Sequence, residues 1–337
     1  MAFSPHEGSL LSQPVLAAPA GSPQTVLADS PRTPAPRPSR GEPLQLPVRL
    51  ALSPLPQPVA YTATTRWEER LGGEVKRTIV AKQLELGCAP EPAGPGLMLA
   101  LATASPALRG PDRTPTEEVL LLLAGLYQHL VLRVSASGRV LALANEADIR
   151  RTWEEIKVAL VARYGDDDPL TASLRSALNA QLYLPGSVLA SLRYDYAYEL
   201  LVANLYQQRF ESEIGYTQPK AFPQFFAGAN LHFHECLTLG IPTAPNRVTL
   251  HLRGQPDEQR IDRPAVAEQV AALLSLGTEQ QPANQPAVDP AGLEFSYCAT
   301  YDVDVATGWP VTVEAVVNCR YPAAEFAKEY DLTIERS

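Results

Sequence analysis

The chain lacks the short motifs that mark the common classes of enzyme. Its 337 residues contain no G-x-S-x-G nucleophile turn, no G-x-x-x-x-G-K-[ST] phosphate loop, no G-x-G-x-x-G dinucleotide turn and no H-E-x-x-H pair. Histidine is also scarce, with five in the whole chain, so few side chains are available as general bases near neutral pH. These absences remove the common catalytic frameworks without excluding every enzyme.

Basic clusters and long apolar runs are missing as well. The 28 lysines and arginines are outnumbered by 37 aspartates and glutamates, and the net charge is -9. Contacts to nucleic-acid phosphates need clustered basic side chains, so no nucleic-acid partner is expected. The most apolar stretch, residues 119–126, is much shorter than the roughly 18 residues of a spanning helix, so no transmembrane segment is predicted.

The first residues of the chain lack the basic start and continuous apolar core of a secretory signal. We therefore expect a cytoplasmic protein. The cell envelope is the alternative, if an export signal lies upstream of a misassigned start codon.

The four cysteines include no C-x-x-C pair, which excludes a zinc knuckle and a thioredoxin-like redox motif. Cys298 and Cys319 fall on the two arms of a predicted C-terminal hairpin. If Val303 pairs with Pro310, Cys298 faces Ala315, and the two sulfurs lie about 13 Å apart at the usual strand rise. A disulfide needs Cα atoms within about 7 Å. Free, mostly buried thiols are therefore predicted.

That C-terminal hairpin is the clearest structural signal in the chain. Residues 293–303 and 311–317 alternate apolar and polar side chains on either side of the turn D-V-A-T-G-W-P. Asp304 is placed to accept backbone N–H bonds within the turn, and Gly308 can adopt a positive φ without steric cost. The pattern predicts a closing turn of the scaffold.

A second hairpin is predicted around Gly72-Gly73, a pair suited to a two-residue loop. Its register places Glu69 opposite Lys76 and Glu68 opposite Arg77. Both pairs are opposite in sign, and each contributes a few tenths of a kcal/mol or more across the strands, which supports the register independently of the turn.

The order of these patterns predicts the organisation of the chain. Residues 1–42 are rich in proline, show no sustained period and are expected to form a disordered tail. Residues 43–337 are expected to form a single α+β domain, with a first β segment at 43–144, a helical block at 145–209 and a second β segment at 210–337. The predicted architecture is a curved or partly closed antiparallel sheet built from hairpins, with the helical block covering one face.

Two of these segments together resemble uncharacterised bacterial β-rich envelope proteins of half-barrel type. The residues that carry the resemblance are the Ser137-Gly138 turn, which leads through Asn145 into a helix with Trp153, and the later D-x-x-T-G-W-P turn at 304–310. The resemblance covers residues 58–335, and its motifs are structural turns. It implies an export signal, which the sequence as given lacks, and it implies no established activity.

Aromatic residues in the helical block suggest a ligand groove. Trp153, Tyr194, Tyr196, Tyr198 and Tyr206 are the candidates to line it. The alternative interpretation is that their rings pack in the core, with the tyrosine hydroxyls at its edge.

A different candidate lies on the strand L-H-F-H-E-C. His232, His234 and Cys236 share one face at the period of two, and His251 lies on the neighbouring predicted strand. Imidazole nitrogens and a thiolate are ligands of zinc. Glu235 points to the opposite face, so it is not positioned as the base of a catalytic zinc. The alternative interpretation is a solvated strand face.

Two functions from different classes follow. The first is a non-enzymatic binding or structural module whose partner is an unknown protein or an apolar small molecule, without a cofactor. An apolar cleft between the helical block and the sheet is expected for ligand binding, and a packed boundary for a purely structural role. The second is a metal-binding protein or metal-dependent hydrolase that uses His232 and His234, with zinc as the cofactor.

Overall fold

The computed structural model describes residues 48–92, 94–104, 115–184, 186–193, 195–203, 205–206, 209–210, 215–241, 244, 246–276 and 287–337. The predicted tail at 1–42 therefore lies outside the described residues. The strands are β1 (Val48–Arg49), β2 (Val59–Leu71), β3 (Glu74–Pro90), β4 (Leu97–Thr103), β5 (His129–Val134), β6 (Val140–Leu143), β7 (Arg209–Phe210), β8 (Tyr216–Phe226), β9 (Ala229–Leu239), β10 (Arg247–Pro256), β11 (Glu294–Asp304), β12 (Pro310–Tyr321) and β13 (Phe326–Arg336). The α-helices are α1 (Pro115–Ala124), α2 (Glu146–Tyr164), α3 (Pro169–Tyr183), α4 (Ser187–Leu192), α5 (Tyr196–Leu201) and α6 (Arg263–Leu276).

The fold is α+β and is built on one antiparallel sheet of 11 strands, in the order β6-β5-β4-β3-β2-β13-β12-β11-β10-β9-β8. The sheet is not closed, and β6 and β8 are its edges. Strand β13 lies between β12 and β2, so the two ends of the described chain meet in the middle of the sheet. The predicted curved, hairpin-built sheet with a helical block is confirmed.

The two predicted hairpins differ in how well their registers were read. The β2–β3 register is confirmed, including the pairs of Glu69 with Lys76 and Glu68 with Arg77. In the β11–β12 hairpin Val303 does pair with Pro310, but a bulge follows, and Cys298 faces Val316 rather than Ala315. The bulge inserts one residue into β12, so every later pair is displaced by one position.

All four cysteines are free, as predicted. Cys88 and Cys319 are buried, Cys236 is half-buried and Cys298 is exposed. Because the two hairpin cysteines lie on opposite faces of the sheet, the one-residue shift does not bring them together.

The D-V-A-T-G-W-P turn has a second role that the sequence did not indicate. Asp304 accepts the predicted backbone hydrogen bond at 2.8 Å, and Gly308 has φ +74°. The turn also packs against the segment between β1 and β2 and forms a hydrogen bond with it. A Cβ on Gly308 would lie 2.1 Å from the carbonyl oxygen of Ala51. The indole of the fully buried Trp309 donates a 2.9 Å hydrogen bond to the carbonyl of Ser53.

Alternation along the strands gives the sheet two unlike faces. The inner face is mainly apolar and aromatic and lies beneath α5, whereas the outer face carries paired charges. The inner face also holds a largely buried ion pair, between Lys328 and Glu69, beside the Trp67 ring. Inner-face residues include Tyr61, Trp67, Leu84, Phe222, Phe233, Leu252, Tyr297, Tyr301, Val317, Tyr330 and Leu332. The edge strand β8 contains Pro219 and Pro223, which cannot donate to a further strand and so discourage edge-to-edge pairing. None of the described helices combines the length and apolarity needed to cross a bilayer.

Candidate functional site

Helix α5 packs against the inner face of the sheet at β12 and β13. On one side it is tied to β3 and β4. Lys82 forms an ion pair with Asp195, the residue that also caps α5 through the backbone N–H of Ala197. The hydroxyl of Tyr198 lies 3.2 Å from that of Thr103. Burial lowers the pKa of Lys82, but Asp195 and Tyr198 together raise it by more, so Lys82 remains charged.

On the other side α5 is tied to the edge strand β8. Glu199 lies 3.6 Å from the ammonium group of Lys220, and the hydroxyl of Tyr196 donates a 2.7 Å hydrogen bond to the carbonyl of Pro223. This helix of six residues thus contacts β3 and β4 on one side and the edge strand β8 on the other. Polar contacts at each end hold it there.

An aromatic cluster lies directly beneath α5 on the inner face. The ring of Tyr196 packs edge-on against Phe222 at 5.2 Å and Tyr330 at 4.9 Å between centroids, and lies 6.2 Å from Trp67. Phe225 extends the cluster at 5.7 Å from Trp67. Such tilted and edge-to-face pairs are favourable packing geometries. The ring of Tyr196 therefore fills the boundary between helix and sheet at this point, which is the packed boundary expected for a structural role and not the open cleft expected for ligand binding.

A polar group adjoins this cluster across three strands. Glu235 on β9 faces Gly254 on β10, which in turn faces Tyr297 on β11. A Cβ on Gly254 would lie 2.7 Å from the Tyr297 ring, so the missing side chain gives that ring its place beside Glu235. Gln218 on β8 donates a hydrogen bond to Oε1 of Glu235. Tyr297 also packs on Phe222 at 4.8 Å, which connects the polar group to the aromatic cluster.

Four polar atoms in this interior have no hydrogen-bond partner within the described residues. They are Oε2 of Glu235 and the hydroxyl oxygens of Tyr206, Tyr297 and Tyr301. All four side chains are at least nine-tenths buried. Burial raises the pKa of Glu235, and the nearby Lys220, Gln218 and Tyr297 lower it by less. The Tyr297 hydroxyl thus lies close to Glu235 but without the geometry of a hydrogen bond. Since buried polar groups are nearly always paired, a group of unpaired ones calls for an explanation.

The predicted aromatic groove is divided by the structure. Trp153 is buried between α2 and α3, where its indole donates a 2.8 Å hydrogen bond to Asn179. Tyr196 and Tyr198 lie in α5, one over the aromatic cluster and the other toward β4. Tyr194 lies outside the described residues. Of the predicted set, Tyr196 is the member that contacts the inner-face aromatics.

The two predicted histidine ligands of β9 lie on its outer face and have other surroundings. His234 Nε2 lies 3.2 Å from a carboxylate oxygen of Asp257. Burial and the neighbouring Arg260 lower the pKa of His232, although Asp257 acts in the opposite direction. Both histidines therefore lie close to the segment that connects β10 to α6.

Cys236 and His251 are directed away from these histidines. Cys236 faces Arg253 in the register, and its sulfur occupies the space that a Cβ on Gly215 would take, at 2.3 Å. The His251 ring lies over Gly240 in the same way, at 2.5 Å. Within the part of the chain that the structure describes, no three histidine, cysteine or acidic side chains are grouped as a metal site. The structure does not bring the four predicted ligands together.

A surface groove lies elsewhere, between α6 and the segment that precedes β11. Its volume is about 360 Å³ and its walls are small side chains, among them Pro264, Ala267, Ala271, Val288 and Pro290. None of the unpaired polar atoms lies in its walls.

The site residues that sequence reasoning missed are Glu235 with its partners on β10 and β11. One signal was present. Leu231, Phe233 and Leu237 occupy the apolar face of β9, and Glu235 interrupts that series with a carboxyl group. The glycine opposite it carried no signal, because its role depends on a strand pairing between distant segments.

Comparisons with known proteins leave the chain without a characterised family. No family model matches it, and no curated protein does. Among solved structures, a DUF1329 family protein from Desulfovibrio piger aligns over 82% of this chain and 85% of its own, at 6% identity and a TM-score of 0.15. Similarity at that level supports no inference about fold or function.

Proposed function

We propose that the protein binds an apolar small molecule on the inner face of the sheet, beneath α5. The observation that carries the proposal is the pairing of a continuous aromatic surface with a group of unpartnered polar atoms. Ligand sites are mostly apolar and aromatic, with a few convergent polar groups. The cluster around Trp67 and Phe222 supplies the first part, and Glu235 with Tyr297 supplies the second.

Access to this surface requires displacement of α5. Its aromatic contact with the sheet is the single ring of Tyr196, and ion pairs with Lys82 and Lys220 hold its two ends. Partly exposed ion pairs contribute little to stability, about 0 to 1 kcal/mol each. Breaking them is only part of the cost of displacing α5, because five of its six residues are buried. The ring of Tyr196 occupies the site in the free protein, and the bound ligand replaces this ring against Phe222 and Tyr330.

The test is a fluorescence titration of the purified protein with N-phenyl-1-naphthylamine, a neutral apolar probe. Saturable binding by the wild type is expected. The double variant Asp195→Asn/Glu199→Gln removes both carboxylates that tie down α5, while asparagine keeps the helix cap. A larger open fraction lowers the apparent Kd in proportion, so a decrease of about five- to tenfold is expected.

Glu118→Gln is the matched control. Glu118 pairs with Arg163 between α1 and α2, and its exposure of 25% is close to the 27% of Asp195. Its removal should leave the apparent Kd unchanged, and thermal unfolding of every variant should remain cooperative. Absence of saturable binding by both the wild type and the double variant would refute the proposal.

A further inference from the structure

Three of the unpaired polar atoms lie on the inner face of strands β9 and β11. Glu235 and Tyr297 meet across Gly254, and Tyr301 lies on the same face of β11, four residues further along. Their side chains are 3%, 3% and 0% exposed. An unpaired buried polar atom is costly to leave without a partner, so a ligand that supplies one gains affinity there.

The surrounding charges decide which partner suits these atoms. Lys220, with 11% of its side chain exposed, lies near Glu235 and opposes a cationic ligand group. The Glu235 carboxyl and Glu199 on α5 oppose an anionic one. A neutral group avoids both penalties. The tyrosine hydroxyls are hydrogen-bond donors, so the complementary group is an acceptor.

We propose that the inner-face site selects neutral aromatic or alicyclic compounds that carry a carbonyl or similar oxygen acceptor, and that the hydroxyl groups of Tyr297 and Tyr301 donate to this oxygen. The hydrocarbon part of the ligand occupies the aromatic cluster beneath α5. This inference rests on the proposed binding function and adds the chemical class of the ligand.

A matched pair of ligands separates the two ideas. 2-Acetylnaphthalene and 2-isopropenylnaphthalene have nearly the same shape and differ in a carbonyl oxygen against a methylene group. Each is titrated as a competitor of N-phenyl-1-naphthylamine on the full-length protein. The wild type is expected to bind the ketone about five- to tenfold more tightly, the effect of one to two net hydrogen bonds.

Conservative variants locate the preference. Tyr297→Phe and Tyr301→Phe remove only hydroxyl groups that have no partner, so both variants should fold, and the preference for the ketone should decrease to about twofold or less in at least Tyr297→Phe. Affinity for 2-isopropenylnaphthalene should stay unchanged. Tyr61→Phe is the matched control, because Tyr61 is also buried on the inner face but its hydroxyl is bonded to the carbonyl of Pro310 at 2.8 Å.

The possible results are distinguishable. A ketone preference that is lost in Tyr297→Phe and retained in Tyr61→Phe supports the inference. Equal binding of the two competitors by the wild type overturns it and leaves the proposed function standing. A preference that survives in both Tyr297→Phe and Tyr301→Phe also overturns it, since the oxygen is then bound elsewhere. Failure of every compound to bind overturns the binding function itself.

Discussion

Two glutamates with the same exposure, 3%, lie on opposite faces of the sheet and have opposite electrostatics. Glu68 on the outer face accepts hydrogen bonds of 2.7 Å from both Arg70 and Arg77, and these bonds lower its pKa. Glu235 on the inner face has no arginine partner. Burial raises its pKa, and one of its oxygens is unpaired.

The difference lies in what covers each carboxylate. Glu68 is covered by the side chains of two arginines that are themselves 59% and 50% exposed, so its charge is stabilised at the surface. Glu235 is enclosed by the sheet and by α5, where an unpaired charge is expensive. The charge of Glu68 is thus fully paired, whereas Glu235 has capacity for a partner.

Cysteine reactivity gives the largest expected contrast between the faces. Cys298 lies on the outer face and is exposed, and partial desolvation of its thiol raises its pKa. Cys319 lies on the inner face, where burial raises the pKa of its thiol to about 12. Only the thiolate reacts. Alkylation by iodoacetamide at pH 8 should be at least about a hundredfold faster at Cys298, because Cys319 must wait for unfolding. Site-resolved mass spectrometry measures the ratio, and comparable rates would contradict the burial of the inner face.

Gly254→Ala should break the inner pair directly. The added Cβ would meet Tyr297 at 2.7 Å and Phe233 at 3.1 Å, and crowding of this kind costs about 1–3 kcal/mol in the free energy of unfolding. Gly87→Ala on β3 is the control, since its nearest neighbour would be Ala100 at an ordinary 3.7 Å. Urea denaturation compares the two, and equal effects would show that Tyr297 does not occupy the space above Gly254.

The two glutamates should also give opposite pH dependences of stability. The pKa of Glu235 in the folded protein is above its ordinary value of 4.5, so the unfolded chain ionises first and stability falls as pH rises above about 4.5. Each pKa unit corresponds to about 1.4 kcal/mol. Glu235→Gln should remove this loss.

For Glu68 the folded-state pKa is lowered, so its contribution is present above its ordinary pKa and is lost as pH falls below it. Glu68→Gln should therefore lower the free energy of unfolding above pH 5 and flatten the acid limb, while the slope above pH 5 stays as in the wild type. Free energies of unfolding measured from pH 3 to pH 8 test both variants. Parallel curves for the two would contradict the assignment.

The smallest effect is expected from two single hydroxyl groups of the inner face. Tyr297→Phe removes an unpaired hydroxyl and should leave the free energy of unfolding unchanged or raise it by a few tenths of a kcal/mol, whereas Tyr61→Phe removes a bonded one and should cost about 1 kcal/mol. Thermal unfolding in parallel measures the difference. A loss in Tyr297→Phe as large as that in Tyr61→Phe would show that the Tyr297 hydroxyl has a partner.

Prediction from the sequence succeeded where the signals are local. The β2–β3 register followed from Gly72-Gly73 and the two cross-strand charge pairs, because turn chemistry and alternation act between residues close in the chain. It was wrong by one residue at Cys298, since a bulge depends on how β12 meets both of its neighbours. The predicted metal ligands are not grouped within the described residues, and a shared strand face by itself does not determine how close the side chains come.

The sequence by itself determined the class of fold, the hairpins and the apolar face of each strand, since these depend on patterns of period two and on a few turn residues. Only the tertiary structure decided that α5 bridges the open sheet, that the turn at Gly308 fastens the segment around Ala51, and that Glu235 meets Tyr297 across Gly254. Each of these contacts joins residues far apart in the chain. Its energy depends on distance and burial, which a linear pattern does not contain.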